Sequence, residues 1–147
     1  MFQARTRFNP SAPENAGPLR EYALKTINTP LVEPFYKLTS ATYLVASGFN
    51  DEGMKILLDL ERQDPRNLDL LTTLAEFNEQ MNKLKEAESY RIKISKLDPW
   101  NASNYLRLGM IYKAEGRFLE MAAINEKIQS FASKTVEGEQ AKKDLVA

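Results

Sequence analysis

With no histidine and no cysteine in the chain, the side chains left for acid–base or nucleophilic chemistry are carboxylates, lysines, tyrosines and hydroxyls. Two carboxylate pairs stand out by spacing, Glu76 with Glu79 and Glu86 with Glu88. An offset of three places Glu76 and Glu79 on one helix face, where two carboxyls could share a proton or bracket a cation. The same spacing is ordinary on a solvated helix face, and nothing nearby supplies the desolvated pocket that moves a carboxyl pKa. Ser133-Lys134-Thr135 sets hydroxyls beside an amine, but adjacent residues on a helix face different directions, so the trio reads as a helix terminus. The six glycines are scattered singly, and none precedes a Lys-Ser or Lys-Thr pair, which removes the phosphate-cradling loop. Asp64-Pro65-Arg66-Asn67 lacks the glycine and alternating oxygens of a calcium loop and reads as turn and cap chemistry. The sequence offers no catalytic, cofactor or metal constellation and points to a binding protein rather than an enzyme.

Composition agrees. Lysine plus arginine and aspartate plus glutamate are 20 each, so the chain has no overall electrostatic footprint for nucleic acid or an anionic membrane. An apolar content of 43% with 27% charged residues fits a folded domain. No stretch approaches the roughly 18 apolar residues of a membrane-spanning helix, so direct membrane insertion of this segment is not expected. Met1 to Arg7 lacks the apolar core of a secretory signal. A cytoplasmic location is favoured, with tethering to an inner membrane through a preceding part as the alternative. The absence of cysteine leaves the redox compartment open.

The elements are set by repetition. Leu97-Asp98-Pro99-Trp100-Asn101 echoes Gln63-Asp64-Pro65-Arg66-Asn67, and Pro65 and Pro99 are 34 residues apart. The same offset relates Gly48, Asn82 and Gly116, residue types that end helices in the left-handed conformation. It also relates Ala41, Ala75 and Gly109, small residues that suit close helix approach, with Leu74 and Leu108 one place before the last two. Between these marks the apolar residues follow helical spacing, as in Leu68, Leu71, Ala75 and in Leu84, Ala87, Tyr90, Ile94, Leu97. Each unit is therefore helix, turn, helix, closed by Asp-Pro because proline cannot continue a helix.

This pattern predicts an all-α, right-handed helical-repeat solenoid of about three units. Residues 1–33 form an extended lead-in plus a short capping helix, on which Leu19, Tyr22, Ala23 and Ile27 make the apolar face before Thr29-Pro30. The lead-in from Phe8 to Pro18 has no period. Repeats follow at 34–67, 68–101 and 102–135, and residues 136–147 form a polar cap with Val136, Ala141 and Leu145 as its weak apolar side.

A period of 34 with small residues at the eighth place, a turn residue near the fifteenth and proline at the thirty-second resembles the tetratricopeptide-repeat (TPR) family. The third copy matches best, with Tyr105, Leu108, Gly109 and Tyr112 on the family's signature places; the second matches at Leu71, Leu74, Ala75, Ala87 and Pro99. The first is degenerate, with Ser40 where leucine is usual and Gly53 where alanine is usual, while Met121 takes that alanine place in the third. Those departures bear on how tightly the first repeat packs, not on whether it forms.

The resemblance implies a non-catalytic scaffold that binds a peptide or protein segment in a groove lined by the first helix of each repeat. By repeat position the groove receives Phe35, Leu38, Thr42 and Val45, then Asp69, Thr72, Thr73, Glu76 and Glu79, then Ser103, Leu106, Arg107, Met110 and Lys113. That surface is apolar at one end, acidic in the middle and basic at the far end. Phe35 and Leu38 would equally suit packing on the flanking helix. The places at which chaperone adaptors of this family clamp a C-terminal carboxylate hold Leu38, Thr42, Thr73, Ser103 and Arg107. Only Arg107 fits, so that partner class is not expected. Trp100 reads as a ring over the inter-repeat junction beside Tyr105, with an exposed anchor as the alternative. The run Leu97 to Gly109, followed by Tyr112-Lys113, also resembles the C-terminal repeat module of bacterial O-antigen polymerase or ligase-type membrane proteins, which would make this chain the soluble tail of a larger enzyme. The competing reading is a structural module that self-associates as a homodimer through a repeat edge.

Overall fold

A computed structural model describes residues 16–28, 34–132 and 134–146. Among them lie eight α-helices and no strand: α1 (Ala16–Asn28), α2 (Pro34–Ala46), α3 (Asn50–Gln63), α4 (Leu68–Gln80), α5 (Leu84–Leu97), α6 (Ala102–Ala114), α7 (Phe118–Ala132) and α8 (Val136–Val146). The helix starts at 34, 68 and 102, and those at 50, 84 and 118, recur with the 34-residue spacing of the sequence marks. Phe8 to Asn15, Thr29-Pro30 and Ser133 lie outside the described residues.

The turns inside the pairs close as the residue types require. Gly48, Asn82 and Gly116 all have positive φ, at 88°, 56° and 72°, and the amides of Phe49, Lys83 and Arg117 bond back to the carbonyls of Leu44, Asn78 and Tyr112. The Asp-Pro junctions cap in both directions. Asp64 and Asp98 donate their backbone N–H groups to Leu60 and Ile94, ending α3 and α5. Asn67 and Asn101 then open α4 and α6, each side chain accepting from the amide three residues on.

By its contacts the chain divides after Pro65. In the first unit α1 packs on α2 and α2 on α3. Leu19, Ala23, Ala41, Leu44, Leu57 and Leu60 are buried. Tyr22, expected on the apolar face of α1, is 66% exposed; three residues after Leu19 it falls to the side of the stripe that Leu19 and Ala23 define. Arg20 on α1 reaches α3, donating from Nε to both Glu52 carboxylate oxygens at 2.9 and 3.1 Å. At Gly53 an added Cβ would lie 2.4 Å from Val45 Cγ2 and 2.9 Å from the Ala41 carbonyl. The degenerate glycine is thus what lets α3 approach α2, and the departure from alanine marks close packing.

In the second unit α4 pairs with α5 and α6 with α7, α5 packs on α6, and α8 covers α6 and α7. Leu71, Ala75 and Ile94 pack together, with Tyr90 and Leu97 against them. Tyr105, Ile128, Ala132 and Ala141 form another cluster, which carries the cap helix. Ala141 and Gly138 are what α8 buries; Val136 is 83% and Leu145 39% exposed. The cap holds through small residues that let it sit close, not through the larger apolar pair expected. At Gly109 an added Cβ would meet Asn125 Oδ1 at 3.3 Å, so the small residue sits where α7 crosses closely. Trp100 remains 74% exposed, its ring edge-on to Phe131 at 5.6 Å, and Phe131 in turn meets Tyr105 at 6.0 Å.

Candidate functional site

The predicted groove residues fall in both units. In the first, Phe35 is 68% exposed and edge-on to Tyr36, so it does not pack beneath α1. Leu38 and Thr42 are half-buried, and the Thr42 hydroxyl donates to the Leu38 carbonyl at 2.9 Å. Val45 is in the core. A separate concavity of about 500 Å³ opens between α1 and α2, lined by Pro18, Leu19, Tyr22 and Tyr43.

The second unit brings the other predicted residues onto one face. A cavity of about 350 Å³ is lined by Thr72 and Glu76 from α4, Arg91 from α5, and Asn101, Ser103, Asn104 and Arg107 at and within α6. Beside it, about 170 Å³ opens between Glu79, Leu84, Arg107 and Met110. A third hollow of about 540 Å³ lies between α6 and α8, lined by Met110, Lys113, Ala114, Gln140 and Asp144. Three concavities in succession along α4, α6 and α8 make a surface longer than one small metabolite needs.

Electrostatically the face differs from the sequence reading. Glu79 is bridged by two guanidiniums, Arg91 Nε at 2.9 Å on one oxygen and Arg107 on the other. Lys113 lies 3.8 Å from Asp144 of α8, and the Ser103 hydroxyl donates to Glu137 of α8 at 3.0 Å. The Glu137 carboxyl is held below the usual range by its own backbone N–H first, then by Ser103 and Thr135. The basic far end is therefore neutralised within the chain. Thr73 turns its hydroxyl to the Asp69 carbonyl at 2.8 Å, and Leu106 packs into the Tyr105 cluster. Left for a partner are Glu76, Asp69, Thr72 and the half-exposed Met110.

The two carboxylate pairs are not paired with one another. Glu79 serves Arg91 and Arg107, while Glu88 takes both Arg117 Nη groups, at 2.8 and 3.0 Å. Arg117 also bonds Glu115 and Glu120, and these contacts raise its pKa while lowering that of Glu120. It lies over the Tyr112 ring at 4.3 Å. Burial first, then Glu88, pushes the Tyr112 hydroxyl up. This cluster ties the α6–α7 turn to α5. No group of three metal-ligating side chains occurs among the described residues, and no described helix is long and apolar enough to cross a membrane.

No protein-family model and no curated protein matches the chain. Solved structures do. A mutant of MamA superposes with a TM-score of 0.62 at 20% identity, covering 88% of this chain and 78% of that one. The Arabidopsis OM64 TPR domain gives 0.55 at 16% identity, covering 91% and 96%. The first TPR of Spaghetti (RPAP3), bound to the HSP90 peptide SRMEEVD, gives 0.56 at 18% identity, covering 92% and 97%. The fold is that of a tetratricopeptide-repeat domain. None of these neighbours is an O-antigen polymerase or ligase.

Arg91, on the second helix of its pair, is not among the groove positions expected from the first helix of each repeat. The side chain is 4% exposed. Its position was legible as an anomaly: Arg91 lies four residues after Ala87 and three before Ile94, on the buried stripe of α5. Asn104 is not among those positions either. It accepts from Arg91 Nη1 at 3.4 Å and donates to the Arg91 carbonyl at 2.9 Å, tying α6 to α5.

Proposed function

We propose that this chain is a non-catalytic protein-interaction scaffold whose α4–α6–α8 face binds an extended peptide or protein segment. The observation that carries the reading is the row of three adjoining concavities, which leaves Thr72, Glu76 and Met110 available along one surface. A TPR structure bound to a peptide supports the class of ligand and not its sequence. The carboxylate-clamp places here are Thr73, Ser103 and Arg107 in this unit, of which Thr73 and Ser103 bond within the chain and Arg107 to Glu79. A C-terminal carboxylate is therefore not the proposed contact.

The test is selection of peptides from a random display library on the folded chain, followed by calorimetry of the selected peptides on Glu76→Lys and Met110→Glu variants. Both positions are exposed, so folding is preserved. Loss of binding by about tenfold or more in either variant supports the reading; selected peptides that bind both variants unchanged contradict it.

Self-association is a second reading, favoured by Phe118 and Leu119, 61% and 90% exposed at the start of α7. Sedimentation over a range of concentrations tests it: a chain that stays monomeric throughout removes the reading, and a dimer that Leu119→Glu leaves intact removes this surface as its seat. The narrower proposal, a soluble tail of a membrane glycan polymerase or ligase, rests on the Leu97–Lys113 resemblance alone. A multi-span apolar segment preceding the chain in its gene would support it.

A further inference from the structure

Arg91 is a charged side chain that packing alone does not use fully. Nε is on Glu79 and Nη1 is on Asn104, but Nη2 is buried with no hydrogen-bond partner. Such a donor loses its bond to water on folding and gains nothing in return. Arg91 also lines the 350 Å³ cavity between α4 and α6. Across that cavity Glu76 is exposed and makes no ion pair or hydrogen bond among the described residues. The other polar lining groups are committed: Ser103 to Glu137, Asn101 to Asp98 and to the Asn104 amide, Asn104 to Arg91. What remains is Arg91 Nη2, the exposed Glu76 carboxylate, the Thr72 hydroxyl and the solvent-exposed N–H groups of Arg107 that Glu79 does not take.

The charges decide what fits. Arg91 and Arg107 are balanced by Glu79 and Glu76, so an incoming carboxylate meets Glu76 and an incoming ammonium meets the two guanidiniums. A neutral group with an acceptor and a donor side by side meets the unsatisfied Arg91 Nη2 and the exposed Glu76 carboxylate without adding charge. We propose that this cavity receives the side-chain carboxamide of a glutamine or asparagine in the bound segment, its oxygen on Arg91 Nη2 and its NH2 on the Glu76 carboxylate. Nη2 is covered, so the carboxamide must displace neighbouring side-chain atoms to reach it. The inference rests on the peptide-groove reading for the source of the carboxamide.

The test uses small probes on the whole chain. Propanamide and propanoate are titrated separately into 15N-labelled protein, following the Arg91 side-chain Nε–Hε signal and the Thr72 and Glu76 amides. Propanamide should move all three saturably, with propanoate about tenfold weaker. In Glu76→Ala, an exposed helical position that leaves the fold intact, propanamide should weaken about tenfold and propanoate should become the better ligand. Absence of a saturable propanamide shift, equal binding of the two probes, or an unchanged preference in Glu76→Ala overturns the inference. Because no peptide is involved, propanamide binding beside a failed peptide selection would count against the groove reading alone. Selected peptides that bind this face with no glutamine or asparagine preference would count against the carboxamide alone.

Discussion

Glu79 is the residue whose removal should cost the second unit most, because it is the counter-ion that makes a buried arginine tolerable. Its side chain is 13% exposed, that of Arg91 4% and that of Arg107 45%. Replacing Glu79 by leucine leaves Arg91 buried with a single 3.4 Å contact, to Asn104, and stranding a buried charge costs about 3–5 kcal/mol. Arg107→Ala removes the solvent-side partner only, and an exposed pair is worth about 0–1 kcal/mol. Glu79→Leu combined with Arg91→Met removes both charges together, so most of the loss should return, with a coupling of about 2 kcal/mol or more. Urea unfolding followed through Trp100, the single tryptophan and a resident of this unit, reads the native chain, the single variants Glu79→Leu, Arg91→Met and Arg107→Ala, and the double variant. If Arg107→Ala costs as much as Glu79→Leu, or if the double variant is as unstable as the two singles added, Arg91 is not the buried charge this reasoning requires.

Gly53→Ala gains about 1 kcal/mol of helix propensity but sets a Cβ 2.4 Å from a stiff valine methyl and 2.9 Å from a backbone oxygen, so a net loss of about 1–2 kcal/mol is expected. Amide exchange in α2 and α3 checks it; increased protection would show that the helices separate freely. Asn67→Ala and Asn101→Ala should each cost about 1 kcal/mol through the lost cap, as thermal melting would report. Glu137 is depressed below 4.5, so the stability it lends α8 is present above its unfolded pKa and is lost as pH falls through the lower folded value. The Gly138 amide shift against pH measures this, and a Glu137 titration at or above 4.5 contradicts it.

The helices were legible because punctuation and periodicity agree: Asp-Pro at two junctions, left-handed residues at 48, 82 and 116, and apolar stripes between them. Composition also excluded histidine- and cysteine-based chemistry outright. The surface was less legible, since groove positions carried over by repeat number say where a side chain starts and not what it bonds to. Lys113 and Ser103 are engaged by α8, and no local pattern announces that the cap's Asp144 and Glu137 reach back to α6. Gly53 reads in the sequence as a departure from the alanine usual at its place, bearing on how tightly the first repeat packs; the 2.4 Å approach to Val45 makes it a packing requirement. Arg91 was legible only as a charge on an apolar stripe, and its role depends on Glu79 and Asn104, which lie 12 and 13 residues away in sequence.

The central claim is that the α4–α6–α8 face holds an extended segment, and mapping a selected peptide onto the 15N-labelled chain tests it most directly. The account predicts that shifts concentrate on Thr72, Glu76, Ser103, Arg107 and Met110. Shifts confined to α5 and α7, or to the aromatic surface of Tyr22, Phe35 and Tyr43, would contradict it.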